Sequence, residues 1–168
     1  VSGKVKEIVR GEKRKLLAIL VECDDEQQYL DFGTQKADTT DSGNVKDIIL
    51  KSGLWPFFIQ RPYGITADPE KTPKAIFISG FNTAPLAPNA EFALAGELSF
   101  IQKGIDAIST LTDGGVHLSL NAKTAAGSPF HKLEGVVMHS FEGNHPAGNV
   151  GVQISHVCPI RKDETVWT

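Results

Sequence analysis

Lys74-Ala75-Ile76-Phe77-Ile78-Ser79-Gly80 is the stretch whose reading decides the fold. Its apolar run opens after Pro73 and closes at a glycine, as expected of a strand buried on both faces inside a parallel sheet. Downstream, Leu94, Leu98, Ile101, Ile105 and Ile108 recur at helical spacing, while Glu97, Gln102, Lys103 and Asp106 face away. This predicts one crossover helix from Ala90 to Leu111, capped by Asn89, favoured at its start by Glu91 and ended by Gly114-Gly115. Val116-His117-Leu118-Ser119-Leu120 and Val136-Val137-Met138-His139-Ser140-Phe141 then read as strands, and a helix is expected over Val150–Val157. Strand, helix and strand in that order imply an α/β fold, a mostly parallel Rossmann-like sheet with flanking helices.

Upstream of that core, Lys4 to Val9 and Leu16 to Val21 flank the turn Arg10-Gly11-Glu12-Lys13, which is a β-hairpin by pattern. A lone hairpin is not stable in water, so this one is expected to pair with further strands. Its start, Ser2-Gly3-Lys4-Val5, resembles half of a barrel-sandwich, lipoyl-like domain. A carrier domain would modify a lysine in a context such as Met-Lys-Met; the turn here is Glu12-Lys13-Arg14-Lys15 and reads as a solvated basic turn. Asp24 to Ser42 is polar, with one short strand expected at Tyr29-Leu30-Asp31-Phe32. The expected division is therefore 1–32 as the end of a barrel-sandwich domain, 33–43 as linker and 44–168 as a truncated Rossmann-like domain. Its first helix, Asn44 to Ser52, is capped by Asp41 or Ser42 and ended by Gly53. A chain that starts without methionine and reaches a new strand at Val166-Trp167-Thr168 reads as a piece of a longer protein.

Composition bounds the function. The chain has 168 residues, 22% of them charged, and a net charge of -3, which lacks the basic surplus of a nucleic-acid binder. No apolar run approaches the roughly 18 to 20 residues of a membrane-spanning helix. Cys23 and Cys158 belong to no Cys-x-x-Cys pair, so neither a metal nor an iron–sulfur site is expected, and reduced thiols suggest a cytoplasmic setting.

Two stretches could carry function. Leu54-Trp55-Pro56-Phe57-Phe58-Ile59-Gln60-Arg61-Pro62-Tyr63 is the most aromatic, and its two prolines forbid a regular helix or a central strand. It either covers a sheet edge, with Arg61 held against a carbonyl or ring, or lines a pocket for a flat apolar ligand with Arg61 as polar anchor. The second stretch is the carboxyl end of the sheet, where open α/β folds place ligands: Asn82 and Thr83 after the first strand, His145 and Gly148 after the third. His145 could donate to a ligand or act as a base, or simply bond backbone in a tight turn, and no nucleophile or second acid accompanies it. His117, His139 and His156 read as core or surface residues. Ser79-Gly80 is followed by Phe81-Asn82-Thr83-Ala84-Pro85 and not by Gly-x-Gly-x-x-Gly, so the turn that would admit a pyrophosphate is missing.

Several motifs, in the same order and spread over the chain, carry a family resemblance. They are Val1-Ser2-Gly3-Lys4-Val5 with Arg10-Gly11-Glu12-Lys13-Arg14, Ser52-Gly53-Leu54-Trp55 with Arg61-Pro62-Tyr63, Lys74-Ala75-Ile76-Phe77 with Asn82-Thr83-Ala84-Pro85-Leu86-Ala87, and Gly143-Asn144-His145-Pro146-Ala147-Gly148. Together they are similar to the A subunits of the bacterial Na+-translocating NADH:quinone oxidoreductases, which themselves resemble the flavin-binding subunit of respiratory complex I and the C subunit of the Rnf complex. The resemblance implies a peripheral subunit on the cytoplasmic face of the bacterial inner membrane, held by the other subunits of a complex that couples NADH oxidation and quinone reduction to Na+ export. It implies no redox cofactor and no catalytic residue on this chain, with FAD, FMN, riboflavin and iron–sulfur centres on other subunits. It also implies contact with quinone, for which Trp55, Phe58, Arg61, Pro62 and Tyr63 are the candidates. An independent flavin- or nucleotide-binding oxidoreductase is the alternative.

Overall fold

A computed structural model describes residues 2–32 and 40–168. The chain falls into two compact units, Val1–Lys36 and Ala37–Thr168. Most of the expected linker, 33–39, lies outside the described residues.

In the first unit β1 (Gly3–Arg10) and β2 (Leu16–Cys23) form the expected antiparallel hairpin, with register breaks between Val5 and Glu7 and between Val9 and Arg10. Between them the chain makes a short 3-10 turn, Glu12–Arg14, in which Lys13 and Arg14 have positive φ. After β2 the chain turns back on Ser2, whose hydroxyl accepts from the Gln28 amide at 2.9 Å. Tyr29 to Phe32 form no strand, contrary to expectation. Among the described residues the sheet of this unit holds β1 and β2 alone, so no ladder reaches Tyr29 to Phe32, and Tyr29 and Leu30 are largely exposed.

The second unit opens with α1 (Ser42–Lys51), whose N-cap Asp41 accepts from the Gly43 amide at 3.0 Å. The helix thus starts two residues before the sequence suggested, because Asp41 takes the cap and Ser42 joins the first turn. Trp55–Phe57 make a 3-10 turn, followed by β3 (Ile59–Arg61) and β4 (Ile65–Thr66), joined through Gly64. The two prolines therefore do not forbid a strand paired on both sides; they bracket a three-residue one that pairs with two neighbours, with Pro56 in the preceding turn and Pro62 just beyond.

The deciding stretch forms β5 (Ile76–Ser79), with Ala75, Ile76 and Phe77 almost fully buried. The crossover continues through α2 (Ala90–Ala93) and α3 (Leu98–Ser109) to β6 (Val116–Asn121), and then reaches β7 (Val136–Phe141), α4 (Val150–Val157) and β8 (Val166–Trp167). The single expected crossover helix is broken over Leu94 to Glu97. Gly96 takes φ +89 there, a conformation open to glycine and strained for L side chains, and the turn rotates Leu98, Ile101 and Ile105 onto the sheet. No helix links β6 to β7. Two 3-10 turns, Ala125–Gly127 and Pro129–Lys132, carry that crossover and bury Ala125, Phe130 and Leu133.

The sheet order is β4-β3-β8-β5-β6-β7. β5, β6, β7 and β8 run parallel, and β3 pairs antiparallel with both β4 and β8. One face packs on α1 and α3 around Val45, Trp55, Val116 and Trp167; the other packs on α4 through Ala75, Phe77, Ile154 and Val166. Layers on both sides of a mostly parallel sheet are the expected α/β architecture, and they leave the carboxyl ends of β5 to β7 open to form a site.

Candidate functional site

At the carboxyl end of β5 the ladder persists for one more bond, Gly80 amide to Ser119 carbonyl at 2.7 Å, and then the chain turns away. Ser79 donates its hydroxyl to the Phe81 carbonyl at 2.8 Å, and Asn82 folds its side-chain oxygen onto the Ala84 amide at 2.9 Å. The loop before α4 docks directly on this turn. Thr83 Oγ1 accepts from the Gly148 amide at 2.9 Å and lies 3.3 Å from His145 Nδ1. A Cβ on Gly148 would stand 2.4 Å from the Thr83 nitrogen and 2.8 Å from the Asn82 carbonyl carbon, so only glycine permits the approach. Behind the two loops, Gln153 of α4 is fully buried and donates to Ser79 Oγ at 3.2 Å and to the Ala147 carbonyl at 3.3 Å.

Between these loops and the end of β3 lies a cleft of about 530 Å³. Arg61, Phe81, Asn82, Pro88, His145 and Asn149 are among the residues that line it. Arg61 is half-buried, its Nε is buried without a hydrogen-bond partner, and none of the ion pairs among the described residues involves it. Among the described residues no aspartate or glutamate lines the cleft. The buried Nε beside an apolar wall is a donor without an acceptor, and a buried polar group left so is costly. A recess of the same volume opens at the other end of the sheet, lined by Lys71, Lys74, Asp113, Asp163 and Glu164. There Lys74 pairs with Glu164 at 2.8 Å, and that hydrogen bond, with the Arg161 amide, lowers the glutamate pKa. The carboxyl end is therefore the candidate site.

The sequence of residues 40–168 matches the family described as the NqrA second alpha/beta domain. The chain belongs to the NqrA family. Over 168 residues it is 33% identical to the A subunit of the Na(+)-translocating NADH-quinone reductase of Yersinia pseudotuberculosis serotype O:1b, a match that covers 99% of this chain and 37% of the relative. The subunits of the same name from Rhodopirellula baltica and Pseudomonas aeruginosa PAO1 are 36% and 32% identical over the same shares. The chain thus spans just over a third of the length of these relatives.

In this NqrA-family chain the two groups of expected site residues meet only in part. Arg61 joins Asn82, His145 and Gly148 in one cleft, and Thr83 supports its wall. Trp55 and Phe58 lie elsewhere. Trp55 is buried in the core, donates to the Ala67 carbonyl at 2.8 Å and packs with its ring centroid 5.4 Å from those of Phe58 and Trp167. Pro62 and Tyr63 sit exposed on the β3–β4 turn. His117 and His139 form a bonded pair, Nδ1 to Nε2 at 2.8 Å, beside Phe77, and His156 is exposed against the edge of Phe141. Among the described residues no group of three or more His, Cys, Asp or Glu is placed to hold a metal ion. Sequence reasoning missed Ser79, Asn149 and Gln153. The one available signal was a glutamine amid the apolar residues of Val150–Val157.

Proposed function

We propose that this chain is part of the peripheral A subunit of a Na+-translocating NADH:quinone reductase, on the cytoplasmic face of a bacterial membrane, and that it contacts quinone without a redox cofactor of its own. Membership of the NqrA family and the shared name of the relatives support the complex. No helix among the described residues is long and apolar enough to cross a membrane, which suits a peripheral part. The observation that carries the quinone reading is the unpaired Arg61 over a cleft whose other walls include Phe81, Pro88 and Val150. A flat ring fits the apolar walls, and its carbonyl oxygen fits the guanidinium.

Two features favour quinone over a nucleotide. The turn after β5 lacks phosphate-admitting glycines, and the amide of Gly148 is already bonded to Thr83. The quinone contact narrows accordingly to Arg61 with Asn82 and His145, while Trp55 and Phe58 hold β3 in place from the core. Titrating the full-length protein with a short-chain quinone, FMN and NADH separates the readings. Saturable quinone binding that perturbs Arg61, Asn82 and His145 resonances is expected, and micromolar binding of FMN or NADH there overturns the proposal.

A further inference from the structure

We infer that the cleft discriminates between redox states, binding the oxidised quinone more tightly than the quinol. The inference rests on the quinone reading above and adds to it which form the cleft holds. A quinone ring carries oxygens that only accept hydrogen bonds, whereas a quinol carries hydroxyls that must also donate. The polar groups of the cleft divide unequally between those needs.

Arg61 brings five N–H donors and no acceptor, with Nε buried and unused. The side-chain oxygen of Asn82 is turned onto the Ala84 amide and that of Asn149 onto the Gly151 amide, each at 2.9 Å. The end of both side chains that carries no bond is thus the NH2 group. Ser79 Oγ accepts from Gln153 and donates to the Phe81 carbonyl, so its hydrogen is not free for a ligand. No carboxylate is among the described lining residues, so the side-chain groups free for a ligand are the donors of Arg61, Asn82 and Asn149, with His145, bonded to Thr83 through Nδ1, able to take either role through its other ring nitrogen. A quinone carbonyl meets that supply, while a quinol hydroxyl facing Arg61 finds no acceptor on the guanidinium and no carboxylate among the described lining residues, which costs affinity when both groups are desolvated.

Equilibrium binding of a short-chain benzoquinone and its quinol to the full-length protein, measured anaerobically, tests this. The quinone should bind about tenfold tighter, the step that one unmatched hydrogen bond represents. Arg61→Met should weaken quinone binding about tenfold and leave quinol binding within about twofold, which closes the gap. Asn82→Asp keeps an oxygen for the Ala84 amide and replaces the free donor by an acceptor, so it should shift the preference toward quinol even if Arg61→Met fails to fold. Equal affinity for the two forms in the wild-type protein, or a ratio unmoved by both variants, overturns the inference and leaves the quinone reading standing. Absence of binding by either form overturns both.

Discussion

Gly148 shows how tightly a single residue can fix the candidate site. Its missing side chain lets the loop before α4 lie against the backbone of Asn82 and Thr83. Gly148→Ala should therefore force the loops apart and cost about 2 kcal/mol in chemical denaturation, the usual penalty for overpacking. Gly104→Ala, in the exposed middle of α3 where an added Cβ meets nothing within 4 Å, should instead stabilise by about 0.5 to 1 kcal/mol. His117 carries a pH dependence. Burial first, and the charge of His139 second, hold its pKa below the ordinary 6.5. The unfolded chain then binds more protons than the folded one between the lowered value and 6.5, so stability falls as pH drops through that window and is regained above it. His117→Phe, which retains the stack on Phe77, should flatten the fall in melting temperature between pH 7 and 5. Individual residues were legible to very different degrees. Arg61, Asn82, His145 and Gly148 could be picked from their places after strands or beside proline and glycine. Trp55 and Phe58 could not be assigned, because a large aromatic ring looks the same whether it fills a core or a ligand pocket. Gln153 was hidden inside an apolar helix, and only three dimensions reveal that it reaches Ser79.

Among the elements, long periodic runs were read well and breaks in them poorly. β5, β6, β7 and α4 lie where apolar patterning put them, because burial on one or both faces leaves a strong periodic trace. The interruption between α2 and α3 was missed, since an isolated glycine within a helical pattern can be tolerated and does not by itself mark a break. β3 was missed for the opposite reason: three residues between prolines are too short for any periodicity, and its pairing with β8 comes from a segment over a hundred residues away in sequence. β8 holds this arrangement through Trp167, 1% exposed and in ring contact with Trp55 and Phe58. Trp167→Ala should cost about 4 kcal/mol by urea denaturation, the range of a deleted core aromatic. It should also loosen β3 and with it Arg61, seen as faster amide exchange at Ile59 and Arg61.

For the molecule as a whole, the two units differ in how well they satisfy their own apolar surface. The α/β unit buries three clusters around its sheet. The hairpin exposes Val5, Ile8, Leu16, Leu17 and Ile19 by half or more. Hydrogen exchange should therefore separate them, with slow exchange at Ile76–Ser79 and Val116–Leu120 and fast exchange throughout β1 and β2 of this chain studied alone. Equal protection of the hairpin would mean that something covers it. The sheet order has a further consequence for synthesis. The strand that joins β3 to β5 is made from Val166 and Trp167, which leave the ribosome more than a hundred residues after Ile59. Until they emerge, the nascent chain holds a two-strand ribbon and a three-strand parallel piece with a gap between them, each with an edge unpaired. Vectorial folding cannot seal this domain from its beginning onward; closure waits for the keystone, and a stalled polypeptide that stops short of it exposes sticky rims to chaperones.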